Sequence, residues 1–168
     1  NFYNRIFDRT EEDAYFILER TKELMAIKND NIELIFFSNS PTEMEDGSML
    51  STPSENARGS WSGAAGTYEQ GKDGKVIIAI EIDLLNDTVG LIATIAHELA
   101  HEILLGEGWL EENDEFLTDL TAIFYGFGLF LGNSSFQFMQ RSTTFGSEWG
   151  YRSFGYLPEQ EIAYAMAW

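Results

Sequence analysis

Hydrophobic positions recur with a helical period near the start of the chain and again around its middle. Apolar side chains spaced by three and four predict a helix over residues 11–28, and Thr10 with Asp13 resembles its capping box. The same spacing predicts a second helix over residues 88–105. Both stretches therefore predict amphipathic helices that turn one face toward a core.

The second half of the chain repeats this helical spacing twice. Acidic residues 111–115 begin a third predicted helix that runs to about Leu131. The face of this helix that is predicted to be core is apolar and comprises Phe116, Leu120, Ile123 and Phe127. Pro158 suits the first turn of a last helix that ends near Trp168. Between these two helices, residues 132–157 are predicted to be irregular and are rich in aromatic side chains.

Short β-rich runs lie between the first two predicted helices. Residues 32–37 predict a strand, and 64–69 with 75–82 predict a hairpin around a turn-rich segment. Residues 38–60 are polar and predict a long loop, which either forms the rim of an active site or is mobile. Helix, strands and helices in this order predict one α+β domain over 1–168, with a small, mainly antiparallel sheet of three or four strands.

Composition and charge narrow the classes of function. The formal net charge is −18, which argues against a nucleic-acid partner because such proteins need Lys and Arg to displace phosphate counterions. There are no cysteines, so disulfides and thiolate chemistry are excluded. We expect a soluble protein without a membrane span, with the cytoplasm favoured over export, and the sequence does not fix the oligomeric state.

The two histidines of the chain stand four residues apart, with a glutamate directly after the first: His97-Glu98-Leu99-Ala100-His101. On a helix, positions i and i+4 share a face, so both imidazoles can bind one cation. Glu98 is then placed to take a proton from a metal-activated water. The motif predicts a Zn²⁺ site for hydrolysis, with His97 and His101 as ligands and Glu98 as the general base.

Catalytic zinc normally takes three protein ligands and keeps a fourth position for water. No histidine remains, so the third ligand must be a carboxylate, and the following helix offers Glu115 and Asp119 one turn apart. We assign Glu115 to the metal, with Asp119 as the rival ligand. In the preferred assignment Asp119 accepts the free N–H of a ligating histidine, His97. Ala122 and Gly126 continue this face with small side chains that permit a close approach of the two helices.

H-E-x-x-H on one helix followed by E-x-x-x-D on the next resembles the gluzincin metallopeptidases, and the single-domain minigluzincins most. The specific residues of this resemblance span only 97–119, whereas the order of elements is similar over most of the chain. The resemblance implies a zincin-like fold that binds Zn²⁺. Carried over position by position, it implies the ligands His97, His101 and Glu115, the base Glu98, and Asp119 as the support of a ligand.

The resemblance also implies that an edge strand of the sheet pairs with an extended peptide. The candidates are the strand around residues 66–68 and the strand over 75–82. Many gluzincins place a His or Tyr beyond the glutamate helix to stabilise the oxyanion, and this chain has no third His. Tyr156 is therefore our choice for that role, with Tyr151 and Tyr164 as alternatives.

Further aromatic side chains are candidates for a hydrophobic specificity pocket, with core packing as the alternative for each: Trp61, Phe145 and Trp149. The function predicted from the sequence is a zinc-dependent endopeptidase that acts on a peptide or protein substrate. A regulatory peptidase that cleaves repressors or stress factors shares the motif. The alternative of another class is a catalytically silent zinc-binding interaction or regulatory module. The intact Glu98 favours the enzyme, because a structural zinc site needs no base beside its ligands.

Overall fold

The computed structural model describes residue 3 and residues 5–38, 65–134 and 156–168, and outside these ranges only the backbone of four strands. Within the described residues the chain is an α+β protein in which helices cover a small sheet. The long polar loop predicted over 38–60 lies largely outside the described residues.

The first helix, α1, is Glu11–Leu24, and its capping box is confirmed. The Thr10 hydroxyl accepts the backbone N–H of Asp13, and the Asp13 carboxylate accepts the backbone N–H of Thr10. The helix ends before residue 28, since Ala26 has φ of 57°, a left-handed conformation that does not continue a helix. Ala14, Ile17 and Leu18 are buried, as the periodicity predicts.

The central sheet contains β1 (Ile32–Phe37), β4 (Gly66–Gln70) and β5 (Val76–Glu81) in the order β1-β5-β4. The predicted hairpin is confirmed as β4 and β5, which pair antiparallel. The prediction of a mainly antiparallel sheet is wrong, because β1 pairs parallel to β5. The physical reason is the position of β5: this continuous apolar run needs a partner on each side, and the hairpin supplies only one. Within this sheet β4 is an edge strand.

Four further strands are described by their backbone alone. β2 (Thr42–Glu43) pairs antiparallel with β3 (Met49–Leu50), and β6 (Gln137–Thr143) pairs antiparallel with β7 (Gly146–Arg152). The β6–β7 hairpin corrects the prediction that residues 132–157 are irregular. The two strands are neighbours in sequence, and such strands can pair without a continuous apolar pattern. Of the residues predicted to line a specificity pocket or bind the oxyanion, four side chains lie outside the described residues: Trp61, Phe145, Trp149 and Tyr151.

The central helix of the fold is α2, Thr88–His101, which continues through a π-helical turn at Glu102–Gly106. A 3₁₀ turn, Ile82–Asn86, leads from β5 into it. α2 contacts α1 and the two helices of the following segment, which runs from Glu115 to Ser134, and it also packs on β4 and β5. Ile95 and Leu99 are fully buried. This helix therefore spans the core and carries the histidine motif on one of its faces.

The next helical segment begins at Glu115, after the Asp114 side chain caps the backbone N–H of Leu117. It comprises α3 (Glu115–Ala122), a π-helical turn (Ile123–Phe127) and α4 (Gly128–Ser134). Acidic residues 111–114 therefore precede the helix, which corrects the predicted start. Gly126 has φ of 97°, so the helical path breaks at this residue and does not continue the face of Ala122.

The apolar stripe that was predicted to be core is only partly buried. Ile123 and Phe127 are buried, whereas Phe116 and Leu120 are 55% and 40% exposed. α3 turns its Thr118, Asp119 and Ala122 face toward α2, so the opposite face meets solvent. The prediction is wrong for Phe116 and Leu120 because the polar face of α3, and not its apolar face, packs inward.

The last helix, α5, is Glu159–Ala167, directly after Pro158 at the capping position. Pro158 lies in extended conformation, one residue earlier than a first-turn proline, and Ile162 is the buried anchor of α5. α5 packs on α4, so the C-terminal segment returns to the helical layer.

Two helical segments, Thr88–Gly106 and Glu115–Ser134, reach the length and composition of a membrane span, with mean hydropathies of 1.3 and 1.2. The sequence led us to expect no membrane span, and length and composition alone do not show that either segment is one. The most apolar part of the first segment is 72% buried inside the fold, and that of the second is 39% buried. A core helix of a soluble protein meets the same criterion, so these segments are weak evidence for a membrane and are consistent with a soluble protein.

Candidate metal centre

Three side chains from two neighbouring helices converge at the C-terminal end of α2. The Nε2 atoms of His97 and His101 lie 3.1 Å and 3.4 Å from the same carboxylate oxygen, Oε2 of Glu115. One ligand atom from each residue falls within 4.8 Å of the others. The imidazole rings are nearly perpendicular, with centroids 4.9 Å apart. This cluster could hold a metal ion.

The spacing of these atoms fits a small tetrahedral cation. Bonds of about 2.0–2.1 Å to such an ion place neighbouring ligand atoms roughly 3.3 Å apart. The distances of 3.1 and 3.4 Å from Glu115 to the two imidazoles match that separation. Two imidazoles and one carboxylate are also a donor set that suits zinc and several other divalent ions, so the geometry does not fix the metal.

His97 is oriented by a buried carboxylate on α3. Its Nδ1 donates to Oδ1 of Asp119 at 2.8 Å, which leaves Nε2 on the side of Glu115. Oδ2 of Asp119 accepts the backbone N–H groups of Tyr156 and Leu157 at 2.6 and 2.8 Å. Asp119 is thus fully engaged behind His97 and is not directed at the cluster, which removes the reason for considering it as a rival ligand.

Two residues that the sequence analysis missed orient the other members of the cluster. The buried hydroxyl of Thr118 donates to the carbonyl of Asp114 and accepts from Nδ1 of His101 at 3.3 Å. Asn113 donates to Oε1 of Glu115 at 2.8 Å, so that Oε2 faces the imidazoles. A signal for Thr118 was present: it stands between Glu115 and Asp119 on the face of the helix that meets α2.

Hydrogen bonds to the two carboxylates determine the charge of the cluster. Burial lowers the pKa of His97, but the bonds to Asp119 and Glu115 outweigh it and raise that pKa to about 10. Burial raises the pKa of Glu115, yet the bonds from His101 and His97 hold it well below its usual range. The surroundings therefore favour positive charge at His97, and a bound divalent cation would satisfy the same preference.

Glu98 lies beside the cluster and lines the same cleft. The residue is only 5% exposed. Burial raises its pKa more than the nearby His97 and His101 lower it. A buried carboxylate with a raised pKa is a better proton acceptor than an exposed one, which is the property that a general base needs.

The cleft in front of the cluster has a volume of about 240 Å³ and lies between β4 and the segment that precedes α5. The edge strand contributes Gly66, Thr67 and Tyr68 to its lining. Tyr156 lines the opposite side, where its ring stacks on His97 with centroids 5.8 Å apart. The sequence left open which strand of the hairpin lies at the edge of the sheet. Within the described sheet it is β4, which contains residues 66–68.

The three tyrosines proposed for the oxyanion differ in their placement. The structure brings Tyr156 to the cleft and leaves it half-exposed, with its backbone N–H held by Asp119. Tyr164 is exposed on α5 and lines a separate apolar groove with Leu129 and Trp168. The side chain of Tyr151 lies outside the described residues. Only Tyr156 of the described pair is near the cluster.

A hydrogen-bond network on the far side of His101 was also missed from the sequence. Glu102, buried in the π-helical turn, accepts from the Tyr68 hydroxyl at 2.7 Å and from the Asn29 amide at 2.8 Å. Burial and the bond to Glu102 raise the pKa of Tyr68, so it stays a neutral donor. Its ring lies 5.8 Å from that of His101. This network links β4 to the end of α2.

No family model, no curated protein and no solved structure matches this chain.

Proposed function

We propose that this chain is a zinc-dependent endopeptidase with a zincin-like fold, of the gluzincin type. The observation that carries the proposal is the convergence of His97, His101 and Glu115 on one point, with the buried carboxylate of Glu98 beside them. A structural metal site has no use for a fourth, proton-accepting group in that position. The resemblance of the two helix motifs to gluzincins gives the same reading.

In the proposed reaction His97, His101 and Glu115 hold the metal through Nε2, Nε2 and Oε2. When bound, a zinc ion supplies Lewis acidity, which makes a neighbouring water more acidic and polarises the scissile carbonyl. Asp119 and Thr118 accept from the Nδ1 atoms of His97 and His101, so that each imidazole, in its neutral form, would present Nε2 to the metal.

Glu98 moves the proton. Its carboxylate accepts a proton from the attacking water as the water oxygen bonds to the carbonyl carbon of the substrate. The same proton then passes to the leaving nitrogen as the C–N bond breaks, which returns Glu98 to its charged form. The burial that raises the pKa of Glu98 favours this exchange, because the acid and base forms become closer in energy at neutral pH.

Tyr156 is the proposed donor to the carbonyl oxygen as that oxygen becomes negative. The half-exposed ring on the face of His97 gives it access to a substrate in the cleft. A donor of this kind contributes a few kcal/mol, about 3 on average, to stabilisation of the transition state. Among the described strands β4 pairs only with β5, and its other edge at residues 66–68 is the proposed position of an extended peptide, which would pair with it as an added strand.

The experiment compares the wild-type chain with Glu98→Gln on a proteome-derived peptide mixture, with sequencing of the products and metal analysis of both proteins. Wild type is expected to contain about one zinc per chain and to cleave peptides. Glu98→Gln should keep the metal and lose at least about 100-fold in turnover, the contribution of a general base. Glu111→Gln, at an exposed acid outside the cleft, is the matched control and should behave as wild type.

Unchanged turnover in Glu98→Gln would contradict the mechanism. Zinc retained by a wild type that cleaves no peptide in the mixture would favour the alternative of a silent metal-binding module. An intact fold that contains no divalent metal would overturn both readings.

A further inference from the structure

The edge strand β4 passes very close to α2 at Gly66. A Cβ on Gly66 would lie 2.6 Å from Cγ2 of Thr94 and 2.8 Å from Oε1 of Glu98. Both distances are shorter than the contacts that a Cβ atom makes in packed proteins. The backbone of Gly66 is outside the left-handed region, so its conformation does not require glycine. A side chain is excluded here because it would occupy the space next to the Glu98 carboxylate.

The position of the Glu98 carboxylate depends on this packing. Among the residues that the structure describes, none donates a hydrogen bond to Glu98. Thr94 lies one turn before Glu98 on α2, and Gly66 meets both side chains. The direction of the carboxylate is therefore set by the surface of β4 and not by a polar partner.

The strand cannot easily move away from α2 to admit a larger residue. Two residues beyond Gly66, the Tyr68 hydroxyl donates to Glu102, and Asn29 donates to the other oxygen of the same carboxylate. Two residues along a strand span about 6.7 Å, and four residues along a helix span about 6 Å. The step from Gly66 to Tyr68 on β4 therefore matches the step from Glu98 to Glu102 on α2. This match fixes the register of β4 on α2.

We propose that Gly66 is a positioning residue that sets the direction of the Glu98 carboxylate in the cleft, an inference that rests on the proposed function of Glu98 as base. Any side chain at this position pushes the carboxylate away from its place beside the metal ligands. The strand that lines the proposed substrate cleft thereby also determines the direction of the Glu98 carboxylate.

The test compares wild type, Gly66→Ala, Thr94→Ser and the double variant Gly66→Ala/Thr94→Ser in kcat, KM, zinc content and melting temperature. Gly66→Ala is expected to lower kcat about 10- to 100-fold, within the contribution of a general base, with KM and zinc content within twofold of wild type. Thr94→Ser alone should match wild type. The double variant lacks the methyl group that Cβ meets, so its melting temperature should recover while kcat stays low.

Recovery of kcat together with melting temperature in the double variant would overturn the proposal, because Gly66 would then serve packing alone. Wild-type kcat in Gly66→Ala would overturn it as well. A crystal structure of Gly66→Ala, or of the double variant if the single one does not fold, gives a readout that needs no activity. The Glu98 carboxylate is expected to turn out of its wild-type position, and an unmoved carboxylate contradicts the inference even if the proposed peptidase activity fails independently.

Discussion

A single buried hydroxyl determines the hydrogen-bonding state of His101. The Thr118 hydroxyl donates its hydrogen bond to the carbonyl of Asp114, so toward Nδ1 of His101 it can act only as an acceptor. In the neutral form of the imidazole, a proton at Nδ1 leaves the lone pair at Nε2, the atom that faces Glu115. One small side chain without charge therefore prepares a metal ligand.

Thr118→Val should weaken zinc binding by about 10- to 100-fold, since the variant is close in shape but leaves Nδ1 of His101 without an acceptor. Competition with a chromophoric chelator measures this affinity. Thr121→Val is the matched control one turn further along, because the Thr121 hydroxyl bonds only the carbonyl of Leu117 and lies away from the cluster. Equal affinities of the two variants would contradict the role of Thr118.

Asp119→Asn should reduce both metal affinity and stability, because the amide can replace only one of the two acceptor oxygens. Oδ1 serves His97, and Oδ2 serves the backbone N–H groups of Tyr156 and Leu157. An amide NH₂ in either position would face another donor, at a cost of about 1–3 kcal/mol in the free energy of unfolding. Urea titration measures that cost, with the exposed Asp83→Asn as control.

At the level of elements, the segment from Glu115 to Ser134 changes direction at Gly126, and side chains on both sides of that residue reach the core. Before the break, α3 presents Thr118, Asp119 and Ala122 inward. Gly126, at φ of 97°, redirects the chain, and Phe127 is then fully buried. The segment thus supplies candidate metal-site residues near its start, and its core side chains include Ile123 before the break and Phe127 after it.

Gly126→Ala is expected to lower the free energy of unfolding by about 1–2 kcal/mol, because a Cβ is disfavoured at this positive φ although nothing crowds the position. Gly132→Ala in α4 is the matched control. There a Cβ would make an ordinary contact at 3.6 Å with Ile162, so the change should be neutral or stabilise by about 0.4–1 kcal/mol. Urea unfolding of both proteins checks the difference in sign.

Features that depend on near neighbours in sequence were predictable, and those that depend on which surfaces meet were not. The capping box of Thr10 and Asp13 and the hairpin of β4 and β5 follow from local patterns, and the structure contains both. The parallel pairing of β1 depends on a distant strand. The motif predicted that the Asp119 and Ala122 face of α3 approaches α2, but the exposure of the opposite apolar face at Phe116 and Leu120 does not follow from a hydrophobic pattern.

The metal cluster shows the same division. The spacing of the motif indicated His97 and His101, and the next helix offered Glu115 by its position. Asn113 and Gly66 carried no signal, because one acts through a hydrogen bond to Glu115 and the other through the absence of a side chain. Such roles become visible only when the neighbouring element is in place.

At the scale of the whole molecule, protonation of the cluster links stability to pH. The pKa of His97 is raised from 6.5 to about 10 in the folded protein. Its contribution to stability is therefore fully present below pH 6.5 and is lost as the pH rises toward 10. Metal binding requires the unprotonated imidazole, so the stabilisation by zinc changes in the opposite direction.

The melting temperature in the presence of a chelator should therefore fall between pH 6.5 and 10, and the gap between zinc-loaded and chelated protein should widen over the same range. Differential scanning calorimetry at a series of pH values measures both curves. Replacing the imidazole by an amide, in His97→Gln, should remove this pH dependence in the chelated sample. Parallel curves for the two wild-type samples would contradict the linkage.

The two oxygens of Asp119 have a consequence for the order in which the protein is made. On the ribosome, Asp119 emerges well before Tyr156 and Leu157, so one of its oxygens waits for partners that have not yet been synthesised. His97 gains its fully ordered acceptor only once that later segment has arrived. We therefore expect a chain truncated before Tyr156 to lack both donors to Oδ2 of Asp119 and to hold His97 in a less ordered position.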